Sequence, residues 1–426
     1  MNRASIQEPS APRTSPEKTT VSLVIAAFRM LAESLRSLTQ LSVRRELSRT
    51  DLGSRLSASA QSMLEGNSPL LSTGDMSAPT GVSVILPCHN SVGRLRPTLA
   101  HLAGQTCDRH IEWEVILVDN ASTDGTGRIA QALWPQDAPA PLRVVYEPQL
   151  GLAYARQRGI SVARYEFLSF VDDDNWVCSD WVQVVWEFMA LHPEVGACSG
   201  FCVDECELPP PGWFRSFSEM YAVSAREDKP GQTTALWGAG LTLRKSALWE
   251  LEKNGFRTWL VDRQGTALTS GGDNELCLAL RLAGWRLWYE PRLRLRHFIR
   301  GERLEWSYLR RLARGSGFSD AGLDAYFCAL KPKRTGVTQL LRRLRETWSW
   351  QLLAAVGKLS SRPLRLLSSL RSPMEGEADV LRLEKQIGRC LGLLQMRKGY
   401  GARIREIRGL FHQSHWSRRN GQREAH

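Results

Sequence analysis

Four short apolar runs, each followed by polar or turn-forming residues and separated by segments of helical spacing, constrain this chain more than any other feature. The runs are residues 82–86, 114–118, 142–146 and 167–171. Runs of this length, apolar almost throughout, read as strands buried on both faces, the habit of parallel sheets. Between them, residues 95–105, 126–133 and 152–163 carry the spacing of helices. Strands and helices that alternate over short connections predict an α/β fold with a doubly wound sheet. Such sheets bind ligands beyond the C-terminal ends of their strands, so the polar residues found there are the candidates for chemistry.

Three strand ends carry such residues. The first is Pro87-Cys88-His89-Asn90, the second runs from Asp119 through Asn120, Ser122 and Asp124 to Thr126, and the third is Asp172-Asp173-Asp174-Asn175. Three consecutive carboxylates repel one another, and loss of solvent sharpens the repulsion. A divalent cation offsets it, and Mg2+ or Mn2+ prefers oxygen ligands shared between carboxylates, phosphates and water. In an extended segment side chains alternate, so Asp172 and Asp174 share one side while Asp173 points elsewhere. An isolated run of this kind also suits an exposed acidic turn or a helix N-cap. Its place directly after an apolar strand favours the cation.

Taken together, these segments resemble glycosyltransferase family 2. The resemblance is carried by residues 82–105 with Pro87 and Asn90, by Val118-Asp119-Asn120-Ala121-Ser122-Thr123-Asp124-Gly125-Thr126, by Gly151-Leu152-Ala153-Tyr154-Ala155-Arg156, and by Phe170-Val171-Asp172-Asp173-Asp174, in that order. Each piece is weak alone; four in order are specific. The resemblance spans residues 81–318 and implies the GT-A fold, an inverting and non-processive transfer, and a nucleotide-sugar donor, UDP-linked by preference. It implies that Pro87 and Asn90 line the nucleotide pocket, that Asp119 bonds the base, that Arg156 approaches base or phosphates, that Asp172 contacts the ribose, and that Asp174 holds Mg2+ or Mn2+.

The second half of the domain adds two further matches. Trp237-Gly238-Ala239-Gly240 resembles the family's glycine-rich loop near donor sugar and acceptor, although a tight turn needing glycine freedom reads the same way. Gly271-Gly272-Asp273 opens a helix and resembles the family's Glu-Asp motif, in which the Asp is the catalytic base. Gly272 stands where the Glu is usual, a departure that leaves open a GT-A-fold nucleotide-sugar-binding or scaffold protein without turnover. An acid at that position also suits the positive end of the helix dipole. His297 resembles a late histidine that joins the metal site, while a lone histidine is as often a core or surface residue.

The flanks read differently from the centre. Residues 1–79 form an extension, rich in Ser, Thr and Pro at its start, with helical spacing over residues 21–56. Residues 80–330 form the GT-A domain. Residues 331–426 are a basic, amphipathic helical region. That last segment holds 21 of the 56 basic residues and only 7 of the 44 acidic ones, so the net charge of +12 belongs to it. A basic amphipathic surface suits an anionic membrane face, and with it a lipid-linked or saccharide acceptor in polysaccharide biosynthesis; a solvated helical face has the same composition. No nucleic-acid-binding motif accompanies the charge.

Other classes fit less well. A nucleotidyltransferase calls for a Gly-rich basic loop after the first strand, where Pro87-Cys88-His89-Asn90-Ser91 stands. Nine scattered cysteines and no visible secretory signal suit a reducing cytosol. No apolar run reaches the length of a membrane span, the nearest candidate at residues 21–31 being broken by Arg29. The expected location is cytoplasmic, peripheral at the inner face of the plasma membrane.

Overall fold

A computed structural model describes residues 78–224, 229–260, 268, 271–331, 337–360 and 374–411. The N-terminal extension, residues 1–77 of it, lies outside the described residues. The nucleus is a run of parallel strands, β1 (Val82–Cys88), β2 (Trp113–Asn120), β3 (Leu142–Glu147) and β4 (Phe167–Phe170), in the order β3-β2-β1-β4. The sequence predicts these strands and the helices between them to within one or two residues at most ends. Helices α1 (Leu95–Ala103), α2 (Thr126–Leu133) and α3 (Leu152–Val162) make the crossovers.

Period-two alternation sorts the strand side chains onto two faces. Val82, Val84, Leu86, Val115 and Leu117 enter one core; Ile85, Ile116, Val118, Leu168 and Phe170 enter the other. Every side chain of β1 is buried. This is why its sequence shows no polar face.

Beyond β4 the sheet turns mixed. After β5 (Asn175–Val177) and α4 (Trp181–Leu191) come β6 (Val195–Cys206), β7 (Gly231–Thr233) and β8 (Thr242–Arg244). Helix α5 (Lys245–Lys253), helix α6 (Gly272–Leu282) and β9 (Arg286–Ile299) complete the domain. The order continues β4-β8-β6-β9-β5, with β8 antiparallel to β4 and β6, and β9 parallel to β6. Strand β5 pairs antiparallel with β9, which places Asn175 opposite His297. The acidic run is thereby carried to the edge of β9.

The 25-residue helix α7 (Trp306–Leu330) links this sheet to four further described helices: α8 (Val337–Arg345), α9 (Trp348–Ser360), α10 (Ala378–Met396) and α11 (Tyr400–Phe411). The last of these elements share the domain's core. Leu393 of α10 and Ile404, Ile407 and Phe411 of α11 are buried in the cluster that holds Ile85 and Leu278. Basic residues of this region face acids. Arg389 pairs with Asp324 at 2.9 Å and Arg408 with Glu346 at 2.6 Å, while Glu384 lies between Arg310 and Arg314.

Helix α10 crosses α7 through small residues. A Cβ on Gly388 would run into the carbonyl oxygen of Arg314, and one on Gly392 would lie 2.5 Å from that of Phe318. Among the described residues no helix is long and apolar enough to cross a membrane. Gly388→Ala gains about 1 kcal/mol of helix propensity but meets backbone that no rotamer change can clear, and such overpacking costs ~1–3 kcal/mol. The contact is with backbone, which takes the upper part of that range, so urea denaturation should show a net loss of up to about 2 kcal/mol. Gly399→Ala, with nothing within 4 Å of the new carbon, should leave the midpoint unchanged.

Candidate active site

A cleft of about 910 Å³ opens at the C-terminal ends of the parallel strands. Its floor is Pro87 and Cys88 at the end of β1 with His89 and Asn90 just beyond it, Asn120 at the end of β2, and Asp172 to Asp174 after β4. Arg156 from α3, Trp237 and Gly238, Asp273 from α6, and His297 from β9 form the walls. Residues as far apart in sequence as Pro87 and Ser316 thus meet in one cleft.

The acidic run is divided by its partners. The Asp173 carboxylate turns toward α1 and accepts a two-point fork from Arg94, Nε to Oδ1 at 2.9 Å and Nη2 to Oδ2 at 2.7 Å. The Ser91 hydroxyl donates to the same carboxylate, and Thr98 Oγ1 donates to the Asp173 carbonyl at 3.0 Å. Burial pushes the Asp173 carboxyl up to about 6, the neighbouring Asp174 adds to the rise, and Arg94 opposes it. Asp172 lies 3.9 Å from Arg156. Asp174 has its carbonyl fixed by the Phe298 N–H at 2.8 Å, and its Oδ2 lies 3.6 Å from His297 Nε2.

His297 is oriented from behind. Its Nδ1 is 2.8 Å from the carbonyl oxygen of Tyr221, which only accepts, so Nδ1 carries the hydrogen and Nε2 presents a lone pair. The aspartate oxygen suits Mg2+ or Mn2+, and the imidazole nitrogen beside it favours Mn2+, the softer of the two. Among the described residues no three His, Cys, Asp or Glu side chains are grouped to hold an ion. An ion held by this pair would need phosphate oxygens and water to complete its shell.

Across the cleft, Asp273 stands in the first turn of α6. The Gly238 N–H donates to its Oδ2 at 2.8 Å and the Asn274 N–H to its Oδ1 at 2.8 Å. A Cβ on Gly238 would lie 2.9 Å from Arg156 Nη2 and 3.1 Å from Asp273 Oδ2. Glycine at 238 is what lets the loop pass between base candidate and guanidinium.

Two of the residues singled out from the sequence stand apart from the cleft lining. Asp119 accepts from the Ser122 N–H at 3.2 Å and the Gly127 N–H at 3.1 Å, bracing the turn into α2. Its neighbour Asn120 lines the cleft instead, with Nδ2 donating to the Gln149 carbonyl and Oδ1 accepting from the Gly151 N–H. Gly240 has φ +69, and a Cβ there would meet Leu295 and Trp181, so it serves the backbone of the loop. Asn90 faces the cleft but also ties two loops together, its Oδ1 accepting from the Thr123 N–H at 2.9 Å.

Three residues that sequence reasoning passed over shape the site. Arg94 holds Asp173. Arg303, in the 3-10 turn Gly301–Leu304 after β9, donates to Asp174 Oδ2 at 3.1 Å. Glu275, two residues beyond Asp273 and wholly buried, accepts from the Trp259 and Leu260 N–H groups, the Tyr326 hydroxyl and Arg403 of α11. Burial and the adjacent Glu275 push the Tyr326 hydroxyl well up, so it remains a donor. The only signal for Glu275 in the sequence is a charge on the core face of α6.

Residues 83–252 match the family model described as glycosyl transferase family 2. Glycosyltransferase GlyG of Streptococcus pneumoniae serotype 4 is 35% identical over 107 residues, 25% of this chain and 34% of that protein. Glycosyltransferase AglE of Haloferax volcanii is 33% identical over 103 residues, 24% of this chain and 33% of that protein. The chain thus spans about a third of the length of these curated relatives. Among solved structures, mannosyltransferase PcManGT from Pyrobaculum calidifontis in complex with GDP-Man and Mn2+ is 17% identical with a TM-score of 0.45, over 89% of this chain and 99% of that one. S. aureus TarS 1–349 in complex with UDP-GlcNAc is 18% identical with a TM-score of 0.40, over 75% and 92% of the two chains.

The Arg94–Asp173 fork generates a stability prediction. Arg94→Leu leaves a buried carboxylate without its counter-charge and should cost on the order of 3 kcal/mol in urea denaturation. Adding Asp173→Asn should recover part of that loss. Strictly additive losses in the double variant would show that the two side chains are not coupled.

Proposed function

We propose that this chain, whose residues 83–252 are a glycosyltransferase family 2 domain, moves a sugar from a nucleotide-sugar donor to an acceptor hydroxyl with inversion at the anomeric carbon. The observation that carries the reading is the placement of Asp273 in the same cleft as Asp174 and His297, at the C-terminal edge of the parallel strands. A base candidate and a phosphate-side charge centre thus serve one bound molecule.

The roles are those the family resemblance implies. Pro87, Asn90, Asn120 and Arg156 offer the nucleotide a surface, and Asp172 is placed for a ribose hydroxyl, with a UDP-sugar as the preferred donor. Asp174 and the lone pair of His297 would hold Mg2+ or Mn2+ together with donor phosphates. When bound, the ion supplies Lewis-acid neutralisation of the leaving diphosphate. Asp273 accepts the proton of the acceptor hydroxyl as that oxygen bonds to the anomeric carbon and the bond to the diphosphate oxygen breaks. Its two backbone donors fix the carboxylate so that little reorganisation accompanies proton transfer. Trp237 and Gly238 border the place where sugar and acceptor meet.

Asp273→Asn keeps the shape and removes the basicity. Turnover, followed as release of nucleoside diphosphate from a panel of UDP-, GDP- and dTDP-sugars, should fall roughly 10²–10⁴-fold. Nucleotide affinity by calorimetry should stay within about twofold of the parent. An active Asp273→Asn enzyme would take the base role away from Asp273. Donor binding without release in the parent, across a panel of acceptors, would favour a nucleotide-sugar-binding protein instead.

The surface of α8 and α9 supports an acceptor held at an anionic membrane face. Leu341, Leu344, Trp350 and Leu353 are exposed there, alongside exposed Arg343 and Arg345. Apolar side chains with arginines among them suit the headgroup boundary of such a bilayer. The protein should sediment with phosphatidylglycerol vesicles and not with phosphatidylcholine ones, and Leu344→Glu/Trp350→Glu should abolish the association. Equal recovery in the supernatant with both lipids would remove the membrane from the proposal.

A further inference from the structure

Arg303 occupies an unusual position in this cleft. Its Nη1 lies 3.1 Å from Asp174 Oδ2 and 3.2 Å from His297 Nε2, the two atoms proposed to bind the divalent ion. Those two atoms are themselves 3.6 Å apart. A bound ion needs its ligands at about 2.0–2.2 Å, and a guanidinium donating to the same oxygen and the same nitrogen lone pair fills that space. The residue is not a surface arginine that happens to lean in. It is 8% exposed, packs against the Tyr308 ring at 5.7 Å, and has its carbonyl held by the Tyr221 hydroxyl at 2.8 Å.

The guanidinium is also incompletely satisfied. Arg303 Nε is buried and has no hydrogen-bond partner among the described residues. A buried donor without an acceptor carries a cost that an incoming anion relieves. The donor's diphosphate is such an anion, and an arginine fork suits phosphate oxygens well.

We propose that Arg303 is a built-in counter-cation that keeps the divalent ion out of the Asp174–His297 pair until a nucleotide diphosphate is present to receive the guanidinium. This inference rests on the metal reading of the proposed function and adds an order to it. Two cations compete for one pair of ligands, and the diphosphate resolves the competition by giving the displaced one a new partner. Metal and nucleotide then bind with positive coupling, each raising the affinity for the other by the same factor.

The test is Mn2+ binding, read as loss of the free-ion electron paramagnetic resonance signal, in the full chain with and without UDP, with GDP run in parallel. The parent should bind Mn2+ at least tenfold more tightly when the nucleotide is present. Arg303→Gln should bind Mn2+ alone at least tenfold more tightly than the parent, and its dependence on the nucleotide should shrink. Arg303→Lys keeps a cation at the site and should still exclude free Mn2+, which controls for general loosening of the cleft; circular dichroism verifies that both variants are folded. Equal Mn2+ affinity of parent and Arg303→Gln without nucleotide would overturn the gate while leaving the metal reading in place. Nucleotide binding with no Mn2+ uptake in the parent or either variant would overturn the metal reading itself, and the gate with it.

Discussion

The arrangement of the cleft depends on one ion pair, Arg94 with Asp173. Three adjacent carboxylates have no reason to point in useful directions; repulsion alone would spread them into solvent. The fork from Arg94 and the Ser91 hydroxyl draw the middle carboxylate toward α1. Alternation along the chain then leaves Asp172 beside Arg156 and Asp174 beside His297. A structural acid sits between two candidate functional ones, and its burial is what gives the outer two separate neighbours.

Much of this fold was legible in residue order because its signals are local. The apolar runs that become β1 to β4 and the helices between them are set by periodicity, and their alternation points to parallel pairing among those four strands. The polar residues after β1, β2 and β4 could be located because a doubly wound sheet presents its strand ends on one side. What was not legible is what depends on contact across long stretches. Arg94 reaches a partner 79 residues away and Arg303 one 129 residues away. Nothing in the composition around either arginine distinguishes it from its neighbours. Asp119 shows the opposite difficulty. Its place in a recognisable segment implies a contact to the nucleobase; in the structure its oxygens accept from backbone N–H groups and its neighbour Asn120 lines the cleft.

The basic C-terminal region illustrates the same divide. Its helical spacing and charge are plain in the sequence, but the destination of the charge is tertiary. Arg389, Arg403 and Arg408 face Asp324, Glu275 and Glu346, and the glycines of α10 let it lie close against α7. Only part of the positive charge therefore remains on display. Among the described residues, Arg343 and Arg345 of α8 are exposed beside apolar side chains and so available to a surface outside the protein.

The Glu275 cluster ties the timing of folding to the far end of the chain. Glu275 belongs to the helix that carries Asp273, yet one of its partners, Arg403, is made 128 residues later. At ribosomal rates of about 5–20 residues per second, that interval is on the order of ten seconds. Throughout it α6 lacks the cation that balances the fully buried Glu275. The ion pair that steadies the helix carrying the candidate base is therefore closed only by α11, so the reaction centre depends on a helix whose arginine lies 128 residues downstream of Glu275.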